Sequence, residues 1–234
     1  MTQSHADETI KVSNGFALRD DEFAALREFL YAETGISLGE SKREMVYSRL
    51  SKRLRHYGKI SYGDYLQLLT KEGSLGAERQ EFINCLTTNK TDFFREPHHF
   101  AFLRETLIPR LREQGVRRLR VWSAGCSTGE EPYTLAMTLR EQCPLAEGWD
   151  VRILASDIDT AVLAAAEKGV YEVDRLGGLS TELLHQHFLR GTGAKVGKVA
   201  VCPELRDMIS FRQITIKQGR NFFSTHIIHL HHHM

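Results

Sequence analysis

The sequence predicts an α/β protein, a parallel-sheet domain preceded by a small domain built from helices alone. Three observations predict it. Before Val121 the apolar residues recur at helical spacing, with no strand-like alternation. Two short strand-like segments follow, at 117–122 and 151–155, each leading into a polar turn and then a helix. The order strand, glycine-rich turn, helix, strand, acidic turn, helix belongs to a βαβα unit of a parallel sheet.

Taken in order, Asp20 and Asp21 cap a helix with Phe23, Leu26, Phe29 and Leu30 on one face, and Thr34-Gly35 ends it. Ser41-Lys42-Arg43-Glu44 reads as a capping box that opens a helix running to about Tyr57-Gly58. Val46, Leu50, Leu54 and Tyr57 share its apolar face. Lys42, Arg49, Lys52, Arg53 and His56 fall together on another face, with Arg55 adding to the basic character. Further helices are expected at 62–69, 78–86 and 98–107. Leu135, Ala136 and Leu139 belong to the helix opened by Glu130-Glu131-Pro132, and another helix runs from Thr160 to Lys168. Beyond it, 180–189 reads as a helix, while Val196, Val199 and Val201 mark one strand and 208–216 another. After Lys217 the pattern fails. The expected domains are therefore 17–88, helical, and 89–216, α/β, followed by an irregular His-rich tail at 217–234.

Composition narrows the function classes. The 234 residues are 41% hydrophobic and 26% charged, the mix of an ordinary globular protein rather than a disordered, collagen-like or polytopic membrane one. No window approaches the roughly 18 apolar residues of a spanning helix, and residues 1–11 carry Asp7 and Glu8 without the apolar core of a secretory signal. Cys85, Cys126, Cys143 and Cys202 form no C-x-x-C pair, which argues for reduced thiols rather than a zinc ribbon or a redox dithiol. A net charge of +1 leaves no global field to steer the chain to nucleic acid.

Three segments carry chemistry. Gly125-Cys126-Ser127-Thr128-Gly129 after the first strand lacks the Lys-Ser/Thr of a phosphate loop and the spacing of a dinucleotide fingerprint. Glu130 and Glu131 follow it, and they would repel a phosphorylated ligand but suit a cationic one such as S-adenosylmethionine. The same two acids also suit a bare helix N-terminus. Asp157, at the tip of the second strand, stands where an acid grips ribose hydroxyls. The second segment, 86–100, mixes polar residues with Phe93, Phe94 and Phe100 where the domain type changes, as either a small-molecule site or a capped linker. Adjacent His98 and His99 point to different sides of a helix and are not read as a metal pair; no metal is expected. The basic helix face is either solvated surface or a dock for an acidic partner.

Together these segments resemble the chemotaxis receptor methyltransferases, the CheR family, from about Leu18 to Phe211. The most specific matches are Lys42-Arg43-Glu44-Met45-Val46-Tyr47, the run 87–100, the run 121–133, Ala155-Ser156-Asp157-Ile158-Asp159-Thr160 and Arg190-Gly191-Thr192-Gly193. The resemblance implies a helical domain followed by a Rossmann-like, S-adenosylmethionine-dependent methyltransferase domain. It implies methyl transfer to glutamate side chains on the cytoplasmic helices of chemoreceptors, leaving S-adenosylhomocysteine. Asn89, Thr91, Arg95, Gly125, Glu131 and Asp157 would hold the cofactor, with Arg95 also beside the transfer site. Lys42, Arg49, Lys52, Arg53 and Arg55 would dock on the receptor. The expected protein is a cytoplasmic monomer without nucleic-acid partners or membrane insertion.

That chemistry needs no nucleophile-base dyad, because a glutamate is already ionised at pH 7. One departure stands out: Thr215-Ile216 occupies the place of a usual Asn-Leu pair, and Arg220-Asn221 follows without an apolar strand of its own. The α/β domain is accordingly expected to be incomplete, with 208–216 at an exposed edge. The alternative function is a non-catalytic module that docks on receptors or binds the cofactor. A nucleic-acid methyltransferase has only the basic helix in its favour.

Overall fold

The computed structural model describes residues 16–71, 76–214 and the backbone of 226–227. Its described residues separate into two compact units, one ending at Thr88 and one beginning at Asn89.

In the first unit, α1 (Asp20–Thr34) starts with three acids in its first turn, where the helix dipole favours them. Glu22 reaches back to accept from the Arg19 N–H at 3.1 Å. Gly35 ends the helix in the left-handed region at φ 76°, its N–H donating to Tyr31 O. The capping box expected at Ser41 does not form. The chain enters α2 (Arg43–His56) through a 3₁₀ turn, Glu40–Lys42, so Ser41 lies inside a turn and Gly39 is the extended residue before it. Ser61 does cap α3 (Tyr62–Thr70), its hydroxyl accepting from Asp64 N–H at 3.0 Å. With α4 (Gly76–Leu86) these helices bury Phe23, Leu26, Leu30, Val46, Leu50, Leu54, Tyr62, Tyr65, Leu69 and Phe82.

One charge sits in that core. Glu78 is buried, and its carboxylate takes the fork of Arg53 together with the Tyr65 hydroxyl at 2.5 Å. Burial pushes the Glu78 carboxyl up, but the Arg53 and Tyr65 bonds outweigh it and hold it below the ordinary glutamate value.

The second unit opens with α5 (Pro97–Phe102), a π-turn at Leu103–Leu107 and α6 (Ile108–Glu113). Then come β1 (Arg118–Ala124), α7 (Glu130–Gln142), β2 (Asp150–Asp157) and α8 (Thr160–Lys168), the βαβα order that the sequence predicts. β1 and β2 pair in parallel from Arg118↔Asp150 to Ala124↔Ser156, and a later strand, Ile209–Gln213, pairs in parallel with β2 on the other side. Leu119, Val121, Val151, Ile153 and Ala155 fill the core between this sheet and its helices.

Between α8 and that last strand lies a second, antiparallel sheet, of which the sequence marked only the strand carrying Val199 and Val201. It contains β3 (Val170–Glu172), β4 (Phe188–Arg190) and β5 (Lys198–Val201) in the order β3-β5-β4, with α9 (Thr181–His187) before β4. Three-residue strands give too short an alternation to be read. After α10 (Pro203–Arg206) the last parallel strand is β6, Ile209–Gln213.

β6 does stand at an edge of this sheet, beside β2. β1's own outer side pairs antiparallel with β7 (His226–Ile227), at Trp122↔Ile227 and Ser123↔His226. The rest of the expected tail, and Thr215-Ile216, lie outside the described residues. Among the described residues no helix is long and apolar enough to cross a membrane.

Candidate functional site

The carboxyl ends of β1 and β2 form the site, as parallel sheets dictate. The turn after β1 is stitched to β2 by backbone bonds: the N–H groups of Gly125 and Cys126 both donate to Ser156 O, at 2.7 and 2.9 Å. Ser127 takes a left-handed conformation, φ 49°, and its N–H donates to Asp157 Oδ2 at 2.8 Å. The other Asp157 oxygen accepts from Asp159 N–H at 2.9 Å. Asp157 is 7% exposed; burial pushes its carboxyl up against these two backbone donors. Gly129, at φ 97°, leads into α7; a Cβ there would sit 2.9 Å from both Ala166 Cβ and Tyr171 Oη. Cys126 is buried, its thiol turned to Ser127 O at 3.8 Å, and burial drives its titration far above the ordinary thiol range.

The first turn of α7 carries the two acids. Glu131, half-buried, accepts from the fully buried Ser123 hydroxyl of β1 at 2.6 Å. Glu130 is 1% exposed and accepts from Thr128 Oγ1 at 2.6 Å and from Arg175 at 2.8 Å.

Against this turn lies the segment opened by Asn89. Its side-chain amide donates to Asp159 at 2.6 Å, and its carbonyl accepts from Ser127 Oγ at 2.9 Å. Asp159 also caps α8 by accepting from Ala161 and Val162 N–H. Phe94 N–H donates to Thr134 Oγ1 of α7 at 3.2 Å. Phe94 and Glu96, on either side of Arg95, both lie in the left-handed region, at φ 54° and 58°. Arg95 itself is exposed and donates to Lys90 O at 2.8 Å. Asn89, Ser127, Asp157 and Asp159 thus form one bonded cluster, with Gly125 in the turn after β1 and Glu131 in the first turn of α7. Thr91 is held by its carbonyl, which accepts from Arg175 at 3.4 Å. Asp159 lay inside a quoted motif without an assigned role, whereas nothing in the local sequence marks Arg175.

The docking residues divide. Arg53 is spent on Glu78, and Arg49 donates to the carbonyls of Cys85 and Thr87 at 3.0 and 2.6 Å. Lys42, Lys52, Arg55 and His56 are exposed. The helical wheel put these residues on one face, but Arg49 and Arg53 turn to partners within the unit and Lys42 lies in the 3₁₀ turn before α2.

The parallel pairing of β6, β2 and β1, with an acidic turn at the strand ends, makes this unit an α/β domain. Residues 89–227 match the family model described as CheR methyltransferase, SAM binding domain, and residues 21–87 match the CheR methyltransferase, all-alpha domain. The chain belongs to the CheR methyltransferase family. It is 48% identical over 199 residues to chemotaxis protein methyltransferase 2 of Pseudomonas aeruginosa, covering 85% of this chain and 69% of that protein. It is 43% identical over 208 residues to the chemotaxis protein methyltransferase of Escherichia coli, covering 88% and 70% respectively. The Borreliella burgdorferi chemotaxis protein methyltransferase is 35% identical over 209 residues, covering 87% and 72%.

S-adenosyl-L-methionine is the cofactor of this domain, and the residues present fit it. The turn offers carboxylates to a cation and to a diol, and Gly125 is exposed with open space where a Cβ would stand. Its backbone donors, by contrast, are taken by Ser156 O.

Proposed function

We propose that this chain transfers a methyl group from S-adenosylmethionine to glutamate side chains in the cytoplasmic helical region of chemoreceptors, as a cytoplasmic monomer, giving glutamyl methyl esters. The observation that carries the reading is the bonded cluster of Asn89, Ser127, Asp157 and Asp159 at the strand ends, inside a chain of this family. Relatives bearing the methyltransferase name favour catalysis, and nothing favours the non-catalytic alternative.

When bound, the cofactor supplies an electrophilic methyl on a sulfonium. Asp157 would accept from the ribose hydroxyls, and Glu131 would face the methionine end, where its negative charge suits the ammonium. Asn89, Thr91 and Gly125 would complete the pocket. Arg95, held by left-handed residues on both sides, would orient the incoming carboxylate through charge-assisted hydrogen bonds. No residue need act as a base, because the acceptor arrives ionised; alignment and exclusion of water are what the protein contributes. Lys42, Lys52 and Arg55 would face the acidic receptor helices from α2.

Incubation with methyl-labelled cofactor and receptor-containing membranes tests the reading. Base-labile label on the receptor is the expected result; cofactor binding without such label would return the chain to the non-catalytic alternative.

A further inference from the structure

Arg175 comes from outside the cofactor turns. It lies in the 3₁₀ turn Val173–Leu176 that follows β3, on the strand whose Tyr171 hydroxyl donates to Thr128 O at 2.8 Å. One guanidinium nitrogen of Arg175 spans two separate pieces of the site, Glu130 Oε1 at 2.8 Å and Thr91 O at 3.4 Å. Glu130 is fixed in turn by Thr128, and its carbonyl accepts from Thr134 Oγ1, the group that receives Phe94 N–H. The guanidinium therefore ties the middle of the 89–95 segment to the first turn of α7.

We propose that Arg175 is a positioning residue for methyl transfer: it holds Thr91, and with it the cofactor-side segment that carries Arg95, against α7 through Glu130. The proposal rests on the methyltransferase reading. Arg175 touches no reacting atom and acts through Thr91 and Glu130. Its partner is a buried carboxylate, so removing the guanidinium alone also strands a charge. A double variant, Arg175→Ala with Glu130→Gln, removes that charge and isolates the clamp.

The test measures amide hydrogen exchange of 89–95 in the cofactor-free protein and calorimetric affinity for S-adenosylhomocysteine, in wild type, Arg175→Ala, Arg175→Lys and the double variant. A lost charge-assisted hydrogen bond predicts about tenfold faster exchange of this segment and about tenfold weaker binding in Arg175→Ala. Both effects should persist in the double variant and recover in part in Arg175→Lys, while β6 exchanges as in wild type. If the double variant regains wild-type exchange and affinity, or if β6 loosens in step with 89–95, Arg175 only neutralises Glu130 and the proposal fails. Wild-type affinity absent from the start overturns the methyltransferase reading and the positioning role together; normal affinity with unchanged exchange overturns the positioning role alone.

Discussion

Ser127 donates its backbone N–H to Asp157 Oδ2 at 2.8 Å, so a side chain at the tip of β2 sets the conformation of the turn after β1. The residue assigned to the cofactor's ribose is at the same time a brace for the glycine turn. A second brace, Asp159 N–H on the other carboxylate oxygen, fixes the Asp157 carboxylate from both sides, and each oxygen keeps a further lone pair.

Asp157→Ala should therefore lose affinity and order together. A missing charged acceptor costs about 1.5–3 kcal/mol of cofactor binding. Calorimetry should show at least a tenfold weaker S-adenosylhomocysteine complex, and melting should also fall because two buried N–H groups lose their acceptor. Unchanged affinity in a folded variant would remove Asp157 from the site.

Gly129→Ala tests the packing beneath the turn. A methyl group at φ 97°, 2.9 Å from Ala166 Cβ and Tyr171 Oη, combines a left-handed backbone with a clash in the core. A stability loss of about 2–4 kcal/mol is expected, read as a lowered denaturation midpoint with cofactor affinity reduced in parallel.

In the helical unit, Arg53→Ala should cost about 3 kcal/mol, because it leaves the Glu78 carboxylate buried without its partner. The sign with pH follows from Glu78's lowered titration: its contribution is complete above the ordinary glutamate range and drains away as pH falls through the depressed value. Asp157, pushed the other way, is favoured by protonation, so its contribution runs opposite. Acid denaturation of Glu78→Gln should start from lower stability but fall less steeply below about pH 4.5. Equal slopes in the two proteins would contradict this account.

Docking is best probed with Lys52→Glu and Arg55→Glu rather than with Arg49 or Arg53, whose guanidinium groups hold the helical unit together. Receptor capture should weaken in the double reversal, and wild-type capture should weaken with added salt as charges are screened over about 10 Å at 0.1 M. Cofactor affinity serves as the control. Capture indifferent to both changes would leave α2 as plain solvated surface.

The main sheet was legible because β1 and β2 are short strand-like segments that break at a glycine turn and an acidic turn, and the acids of the candidate site stand at those breaks. The small sheet was legible only at β5, through Val199 and Val201: Val170-Tyr171-Glu172 follows the left-handed Gly169 with no room for alternation, and Phe188 merely continues a helical pattern. Side-chain loyalty was hidden as well. Arg53 and Lys52 are neighbours in sequence and alike in charge, yet one is committed to Glu78 across 25 residues and the other faces solvent. Such pairings depend on tertiary placement, which periodicity does not encode. The Ser41 capping box failed for a local reason, since the 3₁₀ turn at Glu40–Lys42 took the helix start before serine could cap it.

The buried thiol of Cys126 has a consequence for the protein's durability. A methyl sulfonium is an alkylating agent, and its natural victim in a protein is a thiolate. Cys126 lies in the turn that we assign to that reagent, and the other three cysteines are also held above the ordinary thiol value by burial, Cys143 to about 11. All four stay protonated at neutral pH and are poor nucleophiles. Under the proposed function, a turn that holds a reactive methyl donor would keep its own sulfur in the thiol form that does not attack it.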